Sequence, residues 1–177
     1  MKPTLSLSLL VACTVWAASP AWSESEETKV QRTIRDLAEA YMAFPQTRDR
    51  QSVIKYFSPD FSFFDDAGPR SRQDIERMLL DLERDLGNGP VVISEEITDI
   101  QVHLENAVSW ATYWDRVTIA RDENVTDDTA LCTAIFHKTL AGWVYQHEHC
   151  SSKPLENDQD HEELTNLTWS LSFSADE

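Results

Sequence analysis

Basic residues are scarce in this chain: 15 Lys and Arg stand against 31 Asp and Glu, for a formal net charge of −16. So acidic a protein repels phosphate backbones and anionic headgroups, which excludes nucleic acid and an electrostatic membrane partner. Glycine is scarcer still, with four residues, and they form no phosphate-binding loop. The three cysteines lack the spacing of a zinc site, and no internal repeat is present. The one long apolar run, residues 5–18, is too short to span a bilayer as a permanent helix.

That run follows Lys2 and leads into small residues, the pattern of a bacterial export signal with cleavage after Ala21 or Ser23. Leu10-Val11-Ala12-Cys13 also offers a lipid attachment at Cys13, but the apolar run continues past the cysteine and favours simple export. The expected layout is a signal peptide over 1–23, one domain over 24–153, and an acidic, largely flexible tail over 154–177. The expected location is secreted or periplasmic. Within the tail, Leu167, Trp169, Leu171 and Phe173 alternate with small polar residues, as a loosely docked strand or a terminal arm would.

The domain opens with helical spacing. Val30, Ile34, Leu37, Ala38 and Tyr41 predict a helix over 28–44, stopped by Pro45. A short helix over 49–57 and a short strand over 61–64 follow. Ser71 and Asp74 then cap a third helix carrying Ile75, Met78, Leu79, Leu82 and Leu86. Beyond Pro90 the period becomes two, predicting strands over 91–102, 108–120, 131–139 and 143–151 in an antiparallel meander. Three helices followed by such a sheet make an α+β fold with the helices on one curved face.

The last strand carries an unusual face. Read with period two, Trp143, Tyr145, His147, His149 and Ser151 lie together, and Val144, Gln146, Glu148 and Cys150 lie opposite. Aromatic and imidazole groups on one face can line a pocket that is apolar yet offers hydrogen bonds. Two histidines two apart could also chelate a metal, with a third ligand from His103, His137 or Asp65, but a wet pocket floor is the preferred reading. No metal and no cofactor is expected. A three-residue turn at Leu140-Ala141-Gly142 pairs Thr139 with Trp143, and that register sets Cys132 opposite Cys150 as a disulfide.

The turn Tyr56-Phe57-Ser58-Pro59-Asp60-Phe61, the loop Asp65-Asp66-Ala67-Gly68, the helix start Ser71-Arg72-Gln73-Asp74-Ile75 and the closing Gly142-Trp143 to Ser151 strand occur in a distinctive order. Over residues 28–152 the chain resembles the nuclear transport factor 2-like superfamily, in particular its SnoaL-like branch. The resemblance implies a cone-shaped barrel: a curved antiparallel sheet wrapped on a long N-terminal helix, with two shorter helices and an apolar pocket inside. It also implies a homodimer formed through the outer face of the sheet.

Laid on ketosteroid isomerase, a member of that superfamily, Tyr41 falls on the oxyanion-donating tyrosine and Asp65 on the base. No acid occurs in 131–139, where the third partner would stand, so His149 or His147 takes that place. The resulting expectation is a catalytic set of Tyr41, Asp65 and His149, with Phe63, Trp110, Trp143, Tyr145 and His147 holding the ligand. The expected function is binding of a small, largely apolar molecule, with proton-transfer chemistry of isomerase, cyclase or dehydratase type. The alternative is a non-catalytic dimeric association or protein-binding module.

Overall fold

The computed structural model describes residues 24–88, 91–121 and 123–152. The expected export signal and acidic tail lie outside the described residues.

Helix α1 (Glu26–Thr47) begins where Ser25 accepts a hydrogen bond from the Thr28 amide at 3.1 Å. Its stripe of Val30, Ile34, Leu37, Ala38 and Phe44 is buried against the sheet. The sequence predicts a stop at Pro45, yet the helix runs two residues further. Proline removes only the hydrogen bond to Tyr41, and Arg48, in the left-handed region at φ 52°, closes the end by donating to Phe44 O at 2.8 Å. Helix α2 (Arg50–Ile54) is shorter than expected. Helix α3 (Arg72–Asp85) starts from the predicted cap: Asp74 accepts from the Ser71 amide at 2.8 Å while Ser71 accepts from the Asp74 amide at 3.4 Å. Ile75 and Leu79 are its buried residues.

The strands are β1 (Phe57–Asp65), β2 (Gly68–Ser71), β3 (Val91–Glu105), β4 (Val108–Arg121), β5 (Asn124–Thr139) and β6 (Gly142–Ser152). They form one curved sheet in the order β2-β1-β6-β5-β4-β3. The meander from β3 to β6 is as expected. Two features were not legible: β2 exists, and β1 runs nine residues and pairs in parallel with β6. Phe57 and Ser58 are both buried at the irregular start of β1, which hides its alternation from a period-two reading. The sheet wraps on α1 without closing, leaving β2 and β3 as its edges.

Two register breaks decide which side chains face inward. On β3 the pairing with β4 shifts at Asp99, which has a φ of 53°. On β6 the register skips Gln146, because Ile135 pairs with His147 but Phe136 pairs with Tyr145. No helix among the described residues is long and apolar enough to cross a membrane.

Candidate functional site

The bulge at Gln146 divides β6 between two faces. Trp143 and Tyr145 face the interior before it; after it the inward positions are Glu148 and Cys150, while His147 and His149 face outward. The sequence places all four aromatic and imidazole residues on one face, and the structure corrects this: one extra residue moves every later side chain across the sheet. The turn is also shorter than expected, with Thr139 pairing to Gly142, whose φ of 134° suits glycine. Shortening the turn by one and adding one at the bulge cancel. Cys132 therefore lies opposite Cys150, and the disulfide is formed.

The inner face of the sheet holds the candidate site. Ala111, Ala134 and Glu148 share one register row, and Tyr113, Cys132 and Cys150 share the next. Asp115, Ala130 and Ser152 share the third. The small residues in mid-row leave room for long polar groups from the flanking strands to lean over them. Tyr113 donates its hydroxyl proton to Glu148 Oε1, and its oxygen is 3.5 Å from the Tyr145 hydroxyl. The Cys132 and Cys150 sulfurs lie within 4.8 Å of a Glu148 oxygen. Glu95 on β3 and Tyr41 on α1 complete the cluster, since Glu95, Glu148 and Asp115 are the charges that act on the Tyr41 hydroxyl.

Burial dominates the chemistry here. Glu95, Asp115 and Glu148 are half-buried as whole residues, but their carboxyl groups are surrounded by protein atoms, and it is the carboxyl that must lose its water to ionise. Desolvation pushes Glu148 up to about 7; Asp115 adds to the rise, and the hydrogen bond from Tyr113 opposes it. Asp115 is also pushed up to about 7, first by burial and then by Asp128. Glu95 is raised by burial, Asp115 and Glu148. The phenols of Tyr41, Tyr113 and Tyr145 are driven well above their ordinary value by burial and the neighbouring carboxylates. The result is two carboxyl groups, Glu148 and Asp115, that can hold or yield a proton near neutrality, with a raised Glu95 and phenols that stay protonated as donors.

The residues singled out from sequence are dispersed. Tyr41 lies in the cluster. Tyr145 packs its ring on Phe136, Phe57 and Phe61 and reaches the cluster with its hydroxyl. Asp65 is engaged in the β1–β2 hairpin, 3.3 Å from Arg70 Nε and accepting from the Ala67 amide at 2.9 Å. His147 bonds Ser62 on the outer face at 2.8 Å, and His149 is exposed. Trp110 is also on the outer face, stacked on His103 at 5.2 Å. Trp143 is buried and donates its ring N–H to Glu26 at 3.0 Å, tying the hairpin to the start of α1. Phe63 packs on the core.

Tyr113, Asp115, Glu95 and Glu148 were not among the expected residues. The available signal was the run of small residues at Ala111, Cys132 and Ala134, which marks the crowded face; Trp110 drew attention to the opposite one. Among the described residues, only Cys132, Glu148 and Cys150 bring three potential metal ligands together, and the two sulfurs are already bonded to each other. Two surface clefts of about 350 and 370 Å³ lie elsewhere, the first beside Arg48 and Glu76, the second between Lys29, Lys55 and Trp143.

An open, curved six-stranded sheet wrapped on one long helix, with a polar cluster on its inner face, defines the α+β cone of the nuclear transport factor 2-like proteins. Residues 34–156 match the SnoaL-like domain, and the chain belongs to that family. A structure described as a putative aromatic ring hydroxylase from Novosphingobium aromaticivorans is similar at 14% identity, covering 76% of this chain and 94% of its own, with a TM-score of 0.63. A putative dehydratase of the NTF2-like family from Streptomyces avermitilis has 15% identity, coverage of 73% and 96%, and a TM-score of 0.58. A putative Ca/calmodulin-dependent kinase II association domain from Exiguobacterium sibiricum has 12% identity, coverage of 75% and 97%, and a TM-score of 0.59. At these identities the likeness is one of fold. No curated protein matches the sequence.

Proposed function

We propose that the domain binds a small molecule at the inner face of its cone and moves a proton on it, with Glu148 as the acid–base group. One observation carries the reading: a carboxyl group with its pKa near 7, hydrogen-bonded to Tyr113, stands inside the fold with a second such group, Asp115, on the same face. In this scheme the Glu148 carboxylate takes a proton from a carbon next to a carbonyl. Tyr41 or Tyr145 donates to the oxygen that gains charge, and Glu148 or Asp115 returns the proton to a different carbon. Tyr41 keeps the role expected of it from sequence. Glu148 and Asp115 take those expected of Asp65 and His149.

The test is native mass spectrometry of protein from its own source to find a retained small molecule, then incubation of protein and molecule in D2O. Wild type should exchange a carbon-bound hydrogen that Glu148→Gln leaves in place. Equal exchange by both would end the proposal.

A second reading rests on the outer face. His103, Trp110, Ile135, His147 and Ser62 form one row across five strands, and Phe64, Trp110, Leu131 and Ile135 are exposed there at 38–45%. So contiguous an apolar surface suits a homodimer, and the association-domain neighbour is compatible with such assembly. Export with removal of 1–23 belongs to the same proposal. The disulfide supports it, since such bonds persist in oxidising compartments.

A further inference from the structure

We propose that the cleft between α1, the Lys55–Tyr56 link and the β5–β6 turn binds a small organic carboxylate. The ligand's charge meets the basic wall, and its apolar body covers Tyr56 and Trp143. The cleft holds about 370 Å³, within the size range of small-molecule sites. None of the inner carboxyl groups lines it, so the inference stands apart from the inner-site reading.

The chain sets 31 acids against 15 bases, yet Lys29, Arg32 and Lys55 line this cleft with Asp36 as its only acid. Lys29, Arg32 and Asp36 come from one stripe of α1, at positions i, i+3 and i+7. Asp36 makes no ion pair among the described residues, so it neutralises none of the three cations. Lys55 makes none either, and its ammonium group rests 4.8 Å from the centre of the Tyr56 ring.

The other two cations are only partly matched. Lys29 lies 2.7 Å from Glu26, but Glu26 also takes Lys138 at 2.8 Å and the Trp143 ring N–H at 3.0 Å. One carboxylate thus faces two ammonium groups. Arg32 gives Glu24 one N–H of its guanidinium fork. The surplus of positive charge registers on Glu26, whose carboxyl is held at about 2, chiefly by Lys138 and Lys29.

The backbone adds a donor. Lys138 N donates to Ala107 O on the β4 side, and Tyr145 N donates to Tyr56 O on the other flank of β6. Lys138 and Trp143 are therefore a non-hydrogen-bonded pair, and the Trp143 amide points the same way as that of Tyr145. On that flank β1 begins only at Phe57, opposite Tyr145. The Trp143 N–H is left facing the cleft with no strand beside it. Amide and cations together suit an anion. Asp36 in the same lining disfavours a compact dianion, while Tyr56, Trp143 and Val144 offer cover to an apolar body.

The experiment uses the full chain with benzoate, benzyl alcohol of matched shape, and inorganic phosphate. Binding is read by NMR on the Gly142 amide and the Trp143 ring N–H. Benzoate should bind at least ~tenfold more tightly than the alcohol, and added salt should narrow the difference. Lys55→Gln, at an exposed position outside the ion pairs, should weaken benzoate severalfold, and Lys55→Arg should restore it. Equal binding of the alcohol, or benzoate binding untouched by Lys55→Gln, would overturn the charge assignment. Tighter binding of phosphate than of benzoate would overturn the carboxylate in favour of a phosphate-bearing ligand. If no probe moves the Gly142 or Trp143 signals in folded protein, the cleft is not a site, and the inner-site reading is untouched.

Discussion

Tyr113 and Glu148 lie 35 residues apart in sequence on strands separated by β5, yet the phenol donates directly to the carboxylate. The bond is diagonal: Tyr113 stands in the row of Cys132, Glu148 in the row of Ala134. A larger side chain at Ala134 would separate them.

The raised carboxyl groups set a direction for stability with pH. Glu148 moves from 4.5 to about 7 and Asp115 from 3.8 to about 7, so the folded state holds protons that the unfolded chain has given up. Their contribution is fully present below the unfolded values and is lost as pH rises through about 7. Glu26 runs the other way, held at about 2 chiefly by Lys138 and Lys29, and its contribution is lost as pH falls from 4.5 towards 2. Thermal melts should therefore peak near pH 5 and decline by pH 8. Glu148→Gln should melt higher than wild type at pH 8 and gain little at pH 5. A wild-type melting temperature that rises from pH 5 to pH 8 would contradict this.

Removing the disulfide should cost about 3 kcal/mol, since it closes a short loop between residues 18 apart. Cys150→Ser, read by denaturant unfolding, provides the figure. Titration of the unfolded, unreduced protein should find Cys132 and Cys150 without free thiol.

Deleting Gln146 is a sharper test of the bulge. Gln146 has no partner of its own, so its removal leaves Tyr145 opposite Phe136 and His147 opposite Ile135 and restores a regular alternation. Glu148 and Cys150 then stay inward, and the variant should keep its Cys132–Cys150 disulfide in non-reducing thiol titration. A deletion protein with both thiols free would show that Gln146 is a paired residue of β6 and not the bulge.

Asp65→Asn separates the two possible bases. Asp65 pairs with Arg70 near the surface, so the change should cost no more than about 1 kcal/mol and leave ligand turnover close to wild type. Loss of turnover with folding intact would return the base role to Asp65.

The outer face predicts a dimer that a single charge disrupts. Ile135→Glu places a carboxylate in the middle of the Trp110–Ile135–His147 row. Sedimentation should show wild type at twice the chain mass and the variant at one. Two monomers would remove the association reading.

The sequence alone carries the local rules. The stripe from Val30 to Tyr41, the Ser71–Asp74 cap and the antiparallel order of the last four strands each depend on neighbours in the sequence, and each is found as read. The paired cysteines were also legible, through a turn one residue too long and a strand one residue too regular. The site was not legible, because facing is a global property. Period two says which residues share a face but not which face is covered, and the unpaired Gln146 reverses the answer halfway along β6. Parallel pairing of β1 with β6 and the wrap of α1 decide that Glu95, Asp115 and Glu148 lose their water while His149 keeps its own. Desolvation depends on what lies across the fold, so only the tertiary structure raises Glu95 and turns Asp115 and Glu148 into groups that titrate near neutrality.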